Sequence, residues 1–122
     1  MSLRGIRGAT VVEQDTASEI VAETRQLLAE ILSRNAIQIE DIASIFFTVT
    51  ADLTSEFPAV AARELGLNTT PLICMTEIPV PKSLPKCIRV LLHVNTELAQ
   101  TQMNHVYLKA AEALRPDHKE KA

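Results

Sequence analysis

Tryptophan is absent from this chain, and other aromatics are scarce: three Phe and one Tyr among 122 residues. That shortage argues against a base-stacking platform for single-stranded nucleic acid. A basic footprint is missing as well. Lys and Arg number 12 against 15 Asp and Glu, the net charge is −3, and the cations are scattered along the chain, so no nucleic-acid partner is expected. No apolar run approaches the ~20 residues of a membrane helix. The first residues, Met1 to Arg7, lack the apolar segment of a signal peptide. Neither a membrane nor an export route is therefore expected. Cys74 and Cys87 form no CxxC pair, and without an export signal they read as reduced thiols in the cytoplasm. His93, His105 and His118 show no ligand spacing with Cys or Asp, which argues against zinc. Gly5 and Gly8 are spaced GxxG and lack the rest of any nucleotide fingerprint. Cys87 and His93 fall on one face of a strand but lie roughly 20 Å apart along it, too far for a Cys–His couple. Both thiols read as buried and inert.

What is present fits one compact domain, with 47% hydrophobic and 22% charged residues. Leu3 to Thr10 reads as a short strand ending at Gly8. Thr16 and Glu19 have the spacing of a capping box. Ile20, Val21, Thr24, Leu27, Leu28, Ile31 and Leu32 then recur at helical intervals, which predicts a helix of about 18 residues with Asn35 at C′. A helical turn is expected over Glu40 to Ala43 and a strand over Ser44 to Thr50. Ala51 to Glu56 reads as a loop. Pro58 opens a short helix through Leu65 that Gly66 ends. Thr70 to Ile78 predicts another strand, with Leu72, Ile73 and Met75 for burial. Pro79, Pro81 and Pro85 punctuate a loop. Lys86 to Val94 is the most strand-like run: Ile88, Val90, Leu92 and Val94 make one apolar face, and Cys87, Arg89, Leu91 and His93 the other. Met103, Val106, Tyr107, Ala110, Ala111 and Leu114 predict a second long helix, stopped at Arg115-Pro116-Asp117. The order β-α-β-α-β-β-α predicts an α+β fold with a small mixed sheet over residues 1–117, followed by a charged, flexible tail at 118–122. So few helices leave part of the sheet uncovered, for which a symmetric oligomer is the usual remedy.

The arginines are the chemical signal. Arg4, Arg7, Arg63, Arg89 and Arg115 lie on strands, on the short helix or at element ends, and several arginines suit an anionic small molecule because the planar fork matches a carboxylate. Arg89 in mid-strand either reaches water or holds an anion. Glu77 either is a surface acid at a strand end or balances charge and binds a ligand hydroxyl. Tyr107 is either a core tyrosine or a phenol aimed at the same anion.

Arg4-Gly5-Ile6-Arg7-Gly8-Ala9-Thr10, Phe57-Pro58-Ala59 with Arg63-Glu64-Leu65, Cys74-Met75-Thr76-Glu77, Cys87-Ile88-Arg89-Val90, His105-Val106-Tyr107-Leu108 and Leu114-Arg115-Pro116-Asp117 follow one another in order. In this the chain resembles the monofunctional AroH class of chorismate mutase, from about Leu3 to Asp117. The resemblance implies a homotrimer whose sheets form a pseudo-α/β barrel, with active sites between subunits. It implies the rearrangement of chorismate to prephenate, in aromatic amino-acid biosynthesis, with no metal and no organic cofactor. By the same resemblance, Arg89 would contact the ether oxygen and a carboxylate, while Arg7 and Tyr107 hold a carboxylate. Glu77 and Cys74 would meet the ring hydroxyl. Phe57, Ala59, Leu72, Ile73, Met75, Thr76 and Leu114 would line the pocket, with Arg63 and Arg115 near its mouth. The chain departs from the pattern at Val60, where the best-known member of that class has a Lys near the substrate. Two alternatives share the size class: a trimeric enamine/imine deaminase, which lacks these motifs, and a non-catalytic trimer that binds a metabolite without turnover.

Overall fold

The computed structural model describes residues 1–115. Its elements are β1 (Ser2–Val11), α1 (Ala17–Arg34), β2 (Ile42–Val49), α2 (Ala59–Glu64), β3 (Leu72–Thr76), β4 (Cys87–Thr96) and β5 (Val106–Tyr107), with 3-10 turns at Ile39–Asp41, Gln100–Gln102 and Lys109–Leu114. The five strands form one mixed sheet in the order β3-β2-β4-β1-β5. β4 lies antiparallel to both β1 and β2, whereas β3 and β5 run parallel to their neighbours.

Alternation decides what each face carries. Ile88, Val90, Leu92 and Val94 of β4 are all buried, as are Ile6 and Gly8 of β1 and Ile45 and Phe47 of β2. Ile6, Ile45, Phe47, Val90, Leu92 and Val94 cluster with Leu27, Leu28 and Ile31 of α1 and Ala59 and Ala62 of α2, whereas Ile88 clusters with Ile20 of α1, Val12 and Leu53. Helix α1 is as predicted in place and length, with 18 residues, and the Thr16 hydroxyl accepts the Glu19 amide. The reciprocal arm of the capping box does not form, because the Glu19 carboxylate takes the N–H groups of Glu13 and Gln14. The helix ends one residue later than expected for its cap. Asn35 is the cap itself, and Ala36 takes the left-handed position (φ 50°). Ala36 and Ile37 donate to the carbonyls of Ser33 and Leu32, the Schellman arrangement. Gly66 (φ 95°) ends α2 in the same way, with Gly66 and Leu67 donating to Arg63 and Ala62.

Three further expectations are corrected. β1 does not stop at Gly8 but runs to Val11, held by continuous pairing with β4. Ile73 and Met75 are exposed and Leu72 is half-buried. As the edge strand beside α2, β3 turns Leu72 and Cys74 to the core and Ile73 and Met75 to the open face. Among the described residues the expected second long helix does not form. Asn104-His105-Val106-Tyr107 has poor helix formers, and here Val106 and Tyr107 pair with Gly8 and Ala9 while Leu108 donates to the Ala9 carbonyl. Side chains finish that edge. The Gln100 amide exchanges both hydrogen bonds with the backbone of Gly5 (2.9 and 2.6 Å), and His105 Nδ1 accepts the Arg7 N–H at 2.9 Å. The Lys109–Leu114 turn then folds over Ala9, Val11 and Cys87, anchored to α1 by Lys109–Glu23 at 2.5 Å. The expected stop at Pro116–Asp117 and the tail at 118–122 lie outside the described residues.

The helices thus cover one face of the sheet. On the other, Phe46, Ile73 and Met75 are exposed, Leu91 and His93 are half-buried, and the His93 ring meets Phe46 edge-on at 5.4 Å. At Gly8 α1 packs tightly on the strand. A Cβ there would stand 2.8 Å from Ile31 Cδ1, 3.1 Å from Val90 Cγ2 and 3.2 Å from Leu27 Cδ1. Gly8→Ala is expected to destabilise the fold by about 1–3 kcal/mol through overpacking. The check is a lower urea midpoint at unchanged slope and fixed protein concentration.

Candidate active site

Ala9 of β1 and Thr48 of β2 flank Arg89 of β4 in register, and Arg7 lies opposite Leu91. Odd residues of β1 and β4 and even residues of β2 face the open side, so Arg7, Arg89, Phe46 and Thr48 share it. Arg89 stands at the border between the part of this face covered by the Lys109–Leu114 turn and the part left bare. A cavity of about 240 Å³ opens there, lined by Arg7, Gly8, Phe46, Thr48, Met75, Glu77, Arg89, Val90, Leu91 and Tyr107.

Glu77 follows β3. Its N–H donates to the Val49 carbonyl at 2.8 Å, its Oε2 accepts the Thr48 hydroxyl, and the same oxygen lies 3.5 Å from Arg89 Nε. The Arg89 side chain is 51% exposed and that of Glu77 23%, so the pair is open enough for its guanidinium to meet a ligand. A second cavity of about 230 Å³ adjoins the first through Glu77 and Arg89 and is lined by Thr50, Leu84, Cys87 and Leu114. Burial pushes the Cys87 thiol up to about 11, against the lowering effect of Arg89. A thiol held there is a wall of the cavity and a poor nucleophile at neutral pH.

The residues expected to act together therefore fall into two groups. Arg7, Met75, Glu77, Arg89 and Tyr107 converge, with Leu114 next to them. Phe57, Cys74, Met75 and Thr76 line a separate cavity of about 360 Å³ at the β3 edge. Cys74 is near Ala59 and Arg63 of α2. Burial raises its pKa, partly offset by a backbone hydrogen bond at Ala59 and by the Arg63 charge. Ala59 is buried, Leu72 is half-buried, Ile73 is exposed on the open face, and Arg115 pairs with Glu112 at 3.9 Å. Within one chain Cys74 does not reach the cavity that holds Glu77. The exposed Phe57 (67%) sits on a loop that Asp15 fastens: its carboxylate accepts Thr54 N–H and Oγ1–H and Ser55 N–H at 3.0–3.1 Å. Partial desolvation pushes the Asp15 carboxyl up, but these bonds together hold it below its ordinary value. Sequence reasoning missed Thr48. Its signal was the even-residue alternation of β2, which needs the pairing with β4 to become meaningful.

The family described as chorismate mutase type I matches residues 3–118. The chain belongs to this family. It is 53% identical to the chorismate mutase AroH of Thermus thermophilus, over 94% of this chain and 95% of that protein. It is 48% identical to the chorismate mutase AroH of Bacillus subtilis, over 96% and 93%. A solved chorismate mutase from Clostridium thermocellum superposes with a TM-score of 0.88 at 54% identity, covering 89% of this chain and 97% of that one. The family assignment and the α+β fold thus agree. Among the described residues no group of three or more His, Cys, Asp or Glu could hold a metal ion, and no helix is long and apolar enough to cross a membrane.

His105 couples the edge of the site to pH. Burial, and then the Arg7 charge, lower its pKa below the ordinary histidine value, and its Nδ1 must be unprotonated to accept the Arg7 N–H. The folded state therefore prefers neutral His105. Its contribution is complete above about pH 6.5, the unfolded value, and is lost as pH falls through the lower folded value. Chemical denaturation from pH 7.5 to 5 is expected to show stability declining over the acidic part of that range. In His105→Gln the decline is expected to be shallower.

Proposed function

We propose that this chain is a chorismate mutase that rearranges chorismate to prephenate, in aromatic amino-acid biosynthesis. The observation that carries the reading is the convergence of Arg7 and Arg89 with one carboxylate, Glu77, and the Tyr107 phenol on a cavity whose other walls, Thr48 apart, carry no polar side chain. Two guanidinium groups suit a dicarboxylate, and a carboxylate suits the ring hydroxyl. The family membership supports the same substrate. The deaminase and the non-catalytic trimer have no observation in their favour.

The rearrangement is unimolecular and moves no proton, so it asks for no general base. Negative charge grows on the ether oxygen and positive charge on the ring as the C–O bond breaks. A guanidinium fixed at that oxygen stabilises the transition state more than the ground state. A millionfold acceleration needs ~8 kcal/mol, and one preorganised donor supplies about 3–4 kcal/mol. Arg89 is assigned that role. Holding the compact conformer between Arg7, Tyr107 and the remaining pocket supplies part of the rest. Glu77 stands close to the ring charge.

The split into two groups of residues supports a site built by two subunits. In this reading one protomer provides Arg7, Glu77, Arg89, Tyr107 and Leu114. A neighbour in a homotrimer provides Phe57, Ala59, Arg63, Leu72, Ile73, Cys74 and Thr76. Met75 lies between the groups, and Arg115 stands near the mouth. The bare sheet face, with Phe46, Ile73, Met75 and Leu91, is the surface such a trimer would bury as a pseudo-α/β barrel. One domain over residues 1–117 in the cytoplasm, with no metal or organic cofactor, completes the proposal.

The test is loss of chorismate absorbance with the purified protein beside Arg89→Ala. Turnover by the wild type and its collapse in the variant are expected. Arg89→Lys keeps the charge and loses the planar fork, so kcat is expected to fall by about 10²–10³-fold, far more than KM rises; near-native kcat would sink the role of Arg89. With no proton in flight, kcat is expected to be nearly flat from about pH 6 to 8, whereas a histidine-like limb would indicate different chemistry.

A further inference from the structure

We propose that Thr48 is a positioning residue that keeps Glu77 from neutralising Arg89, and so sets how the two charges are divided between the protein and the substrate. The proposal rests on the roles given to Arg89 and Glu77 above. Thr48 sits directly opposite Arg89 in the β2–β4 register and faces the same cavity. Its hydroxyl donates to Glu77 Oε2, and that oxygen is also the one nearest Arg89, 3.5 Å from Nε. Glu77 is thus tied to consecutive residues of β2, by its N–H to the Val49 carbonyl and by its carboxylate to Thr48.

An arginine and a carboxylate left to themselves tend toward two parallel hydrogen bonds at about 2.7–2.9 Å. Here the contact involves one nitrogen and is longer. The difference has a local cause. The Thr48 hydroxyl takes one lone pair of the carboxylate oxygen nearest Arg89 and holds that oxygen over β2, turned away from the orientation a bidentate pair requires. Arg89 then keeps its terminal nitrogens for an oxygen of the substrate, and Glu77 keeps Oε1 as an acceptor for a ligand hydroxyl. Without the hydroxyl, the carboxylate can rotate onto the guanidinium, and the cation needed at the breaking bond is partly spent on Glu77. That loss falls on the transition state, where the oxygen is charged, more than on substrate binding.

The experiment compares Thr48→Val, which keeps shape and loses the donor, with Thr48→Ser, which keeps the donor, in the full chain with chorismate. Thr48→Ala serves as a second variant without the hydroxyl, and circular dichroism verifies the fold of each. Thr48→Val is expected to lower kcat about tenfold or more while KM changes less than about threefold; Thr48→Ser is expected to stay within about threefold of wild type. In a Glu77→Gln background, Thr48→Val is expected to cost less than about twofold, because the residue acts through Glu77. Unchanged kcat in the variants without the hydroxyl, or an equal loss in both backgrounds, overturns the role of Thr48 while leaving the assignment of Arg89 intact. Absence of turnover in the wild type overturns both.

Discussion

The antiparallel pairing of β1 with β4 is the constraint on which the rest depends. It runs unbroken from Ser2 with Thr96 to Val11 with Cys87. Because side chains alternate, a slip of one residue would exchange the two faces of a strand. Ile88, Val90, Leu92 and Val94 could then no longer meet α1, and Arg89 would be driven into the core. Burial of that apolar face therefore fixes the register, and the register fixes the arginines. Arg89 is placed across from Ala9, whose small side chain is fully buried and leaves the guanidinium room. Gly8 allows α1 to close over the strand at the point next to Arg7 and the cavity. Packing on one face and charge on the other are two consequences of one alignment.

The same sheet leaves its second face half-finished. The Lys109–Leu114 turn covers Ala9 and Cys87, while Phe46, Ile73 and Met75 remain exposed. Arg89 at the border is wet on one side and sheltered on the other. Edge protection follows a related economy. Where β5 is only Val106–Tyr107, Gln100 and His105 complete the hydrogen bonding of β1 with their side chains. A carboxamide presents a donor and an acceptor at nearly peptide spacing, so Gln100 substitutes for a strand residue without requiring one. This explains how a segment with only two paired residues can deliver Tyr107 to the cavity.

Local signals made much of this legible before any coordinates. The cap at Thr16, the stripe from Ile20 to Leu32 and the alternation from Cys87 to Val94 each depend on neighbours within a few residues, and they read correctly. The late segment did not. Met103, Val106, Tyr107, Ala111 and Leu114 fall at a helical period because they touch different things in turn: the core, β1 and the covered end of the open face; Ala110, which fits the same period, is exposed. Periodicity records which residues are buried, not the backbone that buries them. Ile73 and Met75 misled for the converse reason, since apolar side chains on an edge strand can face outward when a surface is left to be covered. Arg7, Glu77, Arg89 and Tyr107, which line one cavity, stand out in the sequence by their place in ordered motifs. Thr48 was invisible, because its meaning lies in a cross-strand pairing that no single stretch of sequence contains.

The Arg89–Glu77 contact shows why such a pairing matters. An ion pair this exposed is worth only about 0–1 kcal/mol, so in an open site Glu77 attracts Arg89 weakly. Enclosing the site changes the balance. As water leaves, the effective dielectric falls and every attraction between the two side chains strengthens several-fold. Under the proposed roles, the competition between Glu77 and a substrate oxygen for the Arg89 guanidinium would be most severe once bound substrate has displaced that water. Charge alone cannot resolve it, because both partners are anionic. Geometry can: a carboxylate fastened at its backbone and at one oxygen keeps its separation from Arg89 as the medium changes, whereas a free one would close on it. In the proposed site, a fixed framework of strand β2, more than the presence of the two charges, would allow Arg89 and Glu77 to stand side by side and act on different parts of one substrate.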